Sequence, residues 1–256
     1  MYRSAVVPGD DAVVVIPCFN EEARLSRAQV RALVEGGVRV ILVDDGSRDG
    51  TAALLTALAE AHPGHVQALI LPRNGGKGEA VRAGLREALR AGATLVGYLD
   101  ADFATPPAEA LRLRDELLAQ DADVALGSRV RRLGSSIHRR PARHYLGRIF
   151  ATAASLALGV GVYDTQCGAK VLRVTPALRA ALARPFSSRW AFDVELLSRL
   201  LRPEGDTPAV PVTRFIEVPL RAWEDVAGSK LRGATMLRAG ADLARIALQH
   251  RGFGRD

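Results

Sequence analysis

Cysteine is nearly absent from this chain: Cys18 and Cys167 are the only two in 256 residues. Two thiols make no disulfide framework, and neither lies in a CxxC pair or a Cys/His cluster at zinc spacing, so a cross-linked scaffold and a structural zinc module are both excluded. Long apolar runs are missing as well. No stretch reaches the roughly 18 to 20 uninterrupted apolar residues that span a bilayer, and the opening Met-Tyr-Arg-Ser-Ala-Val-Val-Pro lacks the apolar core of a secretion signal, so a cytoplasmic protein is expected. Aromatics make up 5% of the chain. They do not interleave with the basic residues, and no recognition-helix signature is present, which argues against a nucleic-acid partner. Repeats and low-complexity linkers are also lacking, so residues 1–256 are expected to form one domain with two functional halves, 1–127 and 128–256.

Acids are missing from one segment in particular. Residues 129–150 hold seven arginines (Arg129, Arg131, Arg132, Arg139, Arg140, Arg143 and Arg148) and no Asp or Glu, which equals the whole net charge of +7. Such a block suits an anionic lipid surface, a phosphate ligand or nucleic acid, and is equally compatible with a solvated face. It runs into an apolar stretch, 149–162, too short to cross a membrane but suited to a buried or interfacial helix.

What is present is ample core material, at 48% hydrophobic residues. The runs AVVVIP (12–17) and VRVILV (38–43) are β-branched and end in polar residues, as strands of a parallel sheet do when both faces are buried. Helical spacing over 21–35, 51–61 and 79–91 alternates with further strands at 66–71 and 94–99. This alternation predicts a doubly wound α/β sheet with ligands at the carboxyl ends of its strands. The second half predicts a helix over 107–118, a strand over 123–126, a helix over 190–201, a strand over 211–218 and an amphipathic tail helix over 236–249.

The chemistry-bearing clusters all follow strands. PCFNEE (17–22) offers hydrogen-bonding groups for a base or ribose, and VDDGSRDGT (43–51) sets Asp44 and Asp45 side by side where helix capping requires neither. In LDADF (99–103), alternate residues leaving a strand project to one side, so Asp100 and Asp102 address one site. Paired carboxylates suit a hard cation, Mg²⁺ or Mn²⁺, bridging a diphosphate. RNGGKGE (73–79) is a glycine-rich turn before a helix, offering backbone N–H groups and Lys77 to a phosphate, although its order is not that of a P-loop.

IPCFNEE, VDDGSRDGT, NGGKGEAVRAGL, LDADFATPP and GSR, in this order and spacing, resemble the inverting family 2 glycosyltransferases. DTQCG (164–168), RWAFDVELL (189–197) and the segment 223–231 ending GSKL are similar to dolichyl-phosphate β-glucosyltransferases. Together the likeness runs over residues 12–248. The resemblance implies a GT-A fold: a Rossmann-like, mostly parallel sheet flanked by helices, with C-terminal amphipathic helices. It places Pro17, Asn20, Glu22 and Asp45 at the nucleotide and Asp100 and Asp102 at metal and diphosphate, beside which the residues themselves offer Asp44 and Lys77 as further ligand contacts. Arg129 falls near the transferred sugar or acceptor phosphate, and the charge of the arginine block makes Arg131, Arg139, Arg140 and Arg143 secondary candidates for the same phosphate. Asp164, Gln166, Trp190 and Asp193 would line the sugar and acceptor side, Asp164 and Asp193 serving as base for an alcohol acceptor.

The implied donor is UDP-glucose and the implied acceptor a polyprenyl phosphate, reached peripherally at the inner face of the membrane. Phe103-Ala104 after the aspartates is closer to the glucosyl group than the Leu-Gln of mannosyl relatives. A soluble acceptor, a GDP-mannose donor, a sugar nucleotidyltransferase and a non-catalytic sugar-nucleotide sensor stay open as alternatives.

Overall fold

A computed structural model of the protein describes residues 11–131, 133–138, 141–189, 191–224, 242–246 and 248, with 138 and 141–146 described by backbone alone. Trp190, Arg132, Arg139, Arg140, the side chain of Arg143 and most of the expected 236–249 helix lie outside the described residues.

The first half alternates as the sequence predicts: β1 (Ala12–Cys18), α1 (Arg27–Glu35), β2 (Arg39–Asp44), α2 (Thr51–Ala61), β3 (Val66–Ile70), α3 (Lys77–Arg90), β4 (Leu95–Leu99), α4 (Pro107–Ala119) and β5 (Val124–Ser128). Helix α1 starts six residues later than its periodicity suggests. The Glu21 carbonyl accepts from the N–H groups of Arg24 and Leu25 in a turn, and the helix begins only after Ser26, whose hydroxyl accepts from Gln29 N. The second half adds β6 (Ser136–His138), α5 (Pro141–Leu158), β7 (Ala169–Arg173), α6 (Pro176–Ala183), α7 (Phe192–Leu200), β8 (Phe215–Pro219) and β9 (Ala222–Glu224). The strands β6, β7 and β9 and the helix α6 are additions to the sequence reading. Helix α5 begins inside the basic segment, and β8 begins after a 3₁₀ turn at Val212–Arg214.

Seven strands form the main sheet in the order β3-β2-β1-β4-β7-β5-β8, all parallel except β7, which runs antiparallel to both β4 and β5. Strands β6 and β9 pair separately. Residues alternate between the two faces of each strand, so two cores form. Val14, Ile16, Val40 and Leu42 pack with Val30 and Leu33 of α1, Leu55 of α2 and Leu113 of α4. Val13, Val15, Ile41 and Val43 pack with Val81 and Leu85 of α3, Leu178 of α6 and Leu197 of α7. Side chains such as Leu42, Leu85 and Leu113 are wholly buried, each contributing roughly 1.5–3 kcal/mol relative to exposure. No helix among the described residues is long and apolar enough to cross a membrane.

Strand order reverses between β1 and β4, with β2 and β3 on one side and the rest on the other. In an open α/β sheet that reversal leaves a crevice beyond the carboxyl ends of the strands.

Candidate active site

The loop after β1 and the loop after β2 are joined into one wall of this crevice. Asn20, at φ 55°, donates its backbone N–H to Ser47 Oγ (3.0 Å), and its side-chain oxygen accepts from Arg48 N (2.9 Å). Glu21 N donates to Thr51 Oγ1 (2.8 Å), and Glu22 Oε2 accepts from Gly50 N (2.9 Å). Asn20 and Glu22 therefore shape the 47–51 loop, and Pro17 sits half-buried opposite Val43 in the strand register. Asp44 is buried and accepts from Ser47 N, closing the turn after β2.

Asp45, also buried, fastens the glycine-rich turn to the end of β2 by accepting from Gly75 N (2.7 Å) and Gly76 N (2.9 Å). Burial pushes its carboxyl above the usual range and Asp44 adds to that, against the two N–H groups and the Arg189 charge. Gly76 has φ 93°, which a side chain would strain, and it sets the turn that starts α3 at Lys77. Arg189 lies over this turn and donates to Asn74 Oδ1 at 2.5 Å, tying the second half of the chain to the first.

Asp100 leaves the end of β4 with its N–H bonded to Gly168 O (3.1 Å). Its Oδ1 lies 2.5 Å from Lys77 Nζ, and Lys77 also sits 5.8 Å from the Phe192 ring centre. Partial burial works to lower the Lys77 pKa, but Asp100, Asp193 and Asp102 more than reverse it, so the ammonium lies above its ordinary value. Asp102 Oδ1 accepts from Ala104 N (3.1 Å). Burial raises the Asp102 carboxyl first and the neighbouring Asp100 charge adds to it, while Ala104 N, Lys77 and Arg24 work against it. A Cβ on Gly168 would run into the Asp100 carboxylate, so any side chain there displaces it.

These two carboxylates fit a hard divalent cation. Their donors are all oxygen, they crowd one another, and a cation, Lys77, already leans on one of them. No group of three His, Cys, Asp or Glu is assembled among the described residues, so phosphate and water oxygens would complete the coordination.

On the other side of the crevice, Arg129 follows β5 and makes a two-pronged pair with Asp164: Nε to Oδ2 at 2.7 Å and Nη2 to Oδ1 at 2.8 Å, with Arg129 N on Oδ2 at 3.1 Å. Its guanidinium lies 5.5 Å from the Trp223 ring centre. Arg131 is exposed beside it. Among the described residues, Gln166 Nε2, Thr165 Oγ1 and Ser128 Oγ are buried without a hydrogen-bond partner, all on the 164–168 loop or the end of β5. Unsatisfied groups gathered at a strand end are what a polyhydroxylated ligand would satisfy.

Asp193 lies behind Lys77, whose ammonium it helps to stabilise. It is 4% exposed and accepts from Lys170 Nζ (2.6 Å) and from Tyr98 Oη, forming a buried ion pair between α7 and β7. The sequence carries no signal for Arg24, which acts on Asp102 only through the fold, while Gly168 and Arg189 stand in the DTQCG and RWAFDVELL motifs but take their roles from tertiary contacts.

The glycosyl transferase family 2 model matches residues 13–178. A dolichyl-phosphate beta-glucosyltransferase of Trichomonas vaginalis is 30% identical over 257 residues, spanning 98% of this chain and 72% of that protein. A polyprenol monophosphomannose synthase of Mycolicibacterium smegmatis is 32% identical over 239 residues, spanning 90% of this chain and 86% of that one. Among solved structures, a mannosyltransferase of Pyrobaculum calidifontis in complex with GDP-Man and Mn²⁺ superposes with a TM-score of 0.51 at 20% identity, covering 93% of this chain and 62% of that one. The mostly parallel sheet is thus a GT-A fold, and the chain belongs to glycosyl transferase family 2 and is a glycosyltransferase.

Proposed function

We propose that the protein transfers a hexose, glucose from UDP-glucose first among the candidates, onto the phosphate of a polyprenyl phosphate at a membrane surface. The observation that carries the acceptor class is the commitment of both acceptor-side carboxylates: Asp164 is held by Arg129 and Asp193 by Lys170. An alcohol acceptor needs a base to take its proton. A phosphate monoester, with a second pKa near 6, is already mostly dianionic at neutral pH and needs cations instead. The names of the two sequence relatives, a dolichyl-phosphate beta-glucosyltransferase and a polyprenol monophosphomannose synthase, support the same class.

In this reading Pro17, Asn20, Glu22, Asp44 and Asp45 frame the nucleotide pocket, and Lys77 meets the diphosphate. Gln166 faces the sugar. Arg129, Arg131 and the arginines at 139, 140 and 143 draw in the acceptor phosphate. An acceptor phosphate oxygen attacks the anomeric carbon in line, the new C–O bond forms as the bond to the nucleoside diphosphate breaks, and configuration inverts. Held by Asp100 and Asp102, Mg²⁺ or Mn²⁺ would supply positive charge for the departing diphosphate.

Membrane contact is the second part of the proposal. On α5, Ile149, Thr152, Ala153 and Leu156 are exposed at the i, i+3, i+4, i+7 spacing of one helix face, and Leu133 is fully exposed on the preceding loop. An uncharged apolar stripe beside an acid-free arginine segment suits an anionic lipid surface. Flotation with anionic but not neutral vesicles is the expected behaviour.

The test of function is to supply labelled UDP-glucose or GDP-mannose with a short-chain polyprenyl phosphate and examine the product. An organic-extractable, mild-acid-labile glycosyl phosphate is expected. An acid-stable, water-soluble glycoside would support a soluble acceptor instead.

A further inference from the structure

We propose that Glu217 is a positioning residue for the acceptor phosphate: it fixes the loop corner at 163–164 and thereby the direction in which Arg129 presents its guanidinium. The inference rests on Arg129 being an acceptor-phosphate ligand.

Glu217 stands in the middle of β8, opposite Leu126 of β5. Its surroundings are otherwise apolar, a small cavity of about 170 Å³ lined by Leu126, Leu158, Val160, Val162 and Ile216 among others. Glu217 is half-buried there, and its carboxylate is satisfied by hydrogen bonds. Both of its oxygens are used on two successive backbone donors: Oε2 accepts from Tyr163 N (2.8 Å) and Oε1 from Asp164 N (2.7 Å). That fixes two successive peptide units, 162–163 and 163–164, in orientation, which a single bond would leave free to rotate.

The clamped corner carries Asp164, whose two oxygens hold Nε, Nη2 and the backbone N–H of Arg129. With Trp223 against the guanidinium, the plane of Arg129 is set and Nη1 is the corner of its fork that Asp164 does not take. The 163–164 corner also meets the basic helix. Arg148 of α5 lies 3.8 Å from the Tyr163 ring centre and donates to Tyr163 O at 3.4 Å. Glu217 thus orients Arg129 through Asp164 and holds one end of the arginine-rich segment through Tyr163, without reaching the crevice itself. A guanidinium reads a phosphate by direction as well as charge, so a swing of its plane costs acceptor affinity while leaving the donor pocket intact.

The experiment uses the full chain and four proteins: parent, Glu217→Gln, Arg129→Lys and the double variant. Read out are the KM for a short-chain polyprenyl phosphate, the Kd for UDP by calorimetry, and the melting temperature. Glutamine keeps one accepting oxygen and the side-chain volume, so folding is retained where Glu217→Ala would risk it. The expected result is an acceptor KM raised about tenfold in Glu217→Gln, the loss of one hydrogen bond to a charged group. UDP affinity stays unchanged, and little further rise follows when the change is made in the Arg129→Lys background. Equal losses in donor and acceptor parameters, or an effect that adds fully to Arg129→Lys, would overturn the proposal and leave Glu217 a stability residue. If Arg129→Lys itself leaves the acceptor KM unchanged, the reading of Arg129 fails first, and that failure is visible independently of Glu217.

Discussion

Lys77, the first residue of α3, reaches across the crevice to Asp100 at the end of β4, with Nζ 2.5 Å from Oδ1. The glycine-rich turn and the aspartate motif are 23 positions apart in the chain, yet they form one electrostatic unit. Lys77→Gln removes the cation that balances two crowded carboxylates and, in the proposed reading, a phosphate ligand. Affinity for the nucleotide sugar should fall roughly 10- to 100-fold, the worth of one charge-assisted bond. Calorimetric titration of UDP-glucose and GDP-mannose into parent and variant, with Mn²⁺ present, checks this.

Gly168→Ala places a methyl group where the Asp100 carboxylate lies. Overpacking of this kind costs about 1–3 kcal/mol, and a displaced carboxylate at a reacting centre costs about 100-fold in rate. The expected variant is folded, melts a few degrees lower and has lost most activity. A fully active Gly168→Ala would show that the Asp100 orientation is unimportant.

How much of this was legible in the sequence follows from where the signals lie. Strands β1 to β5 announce themselves by apolar runs ending in Asp, Asn or Ser-Arg, and the aspartates of the site stand at those ends. Strand β7 is hidden because Lys170, 1% exposed, interrupts AKVLR with a charge. That lysine makes sense in a strand only once Asp193, 23 residues later, is brought to it by α7. Helix α6 carries its signal in the Thr175 cap followed by Pro176, two residues in a stretch too short for a periodic pattern. The pairing of Arg129 with Asp164 spans 35 positions with no periodicity between, so both residues were readable and their contact was not.

Asp193→Asn should behave as a core variant. Breaking a buried pair by removing one partner costs about 3–5 kcal/mol, and at this chain length that lowers the melting temperature by roughly 6 to 20 °C. Thermal denaturation followed by circular dichroism measures it, with kcat per folded molecule at low temperature as the companion reading. A large kcat loss without any melting shift would return Asp193 to a catalytic role.

Glu195 gives a pH dependence of known sign. Its carboxylate accepts from Ser187 N, Ser187 Oγ and Ser188 N and pairs with Arg199 at 2.7 Å. Burial opposes ionisation, but these bonds prevail and hold its pKa below the ordinary 4.5. The unfolded chain therefore takes up the proton first, so the stabilisation is complete above pH 4.5 and is lost as pH falls through the folded value. Glu195→Gln should be less stable than the parent in urea at pH 7, and the gap should narrow as the pH is lowered below 4.5.

The most direct measurement is nucleoside diphosphate release from UDP-glucose and from GDP-mannose, with Mn²⁺ or Mg²⁺, with and without a short-chain polyprenyl phosphate, in the parent and in Asp102→Ala. The account predicts release from UDP-glucose that requires the lipid phosphate and disappears in Asp102→Ala. Release that is indifferent to the lipid phosphate would contradict the acceptor, and an Asp102→Ala protein as active as the parent would contradict the site.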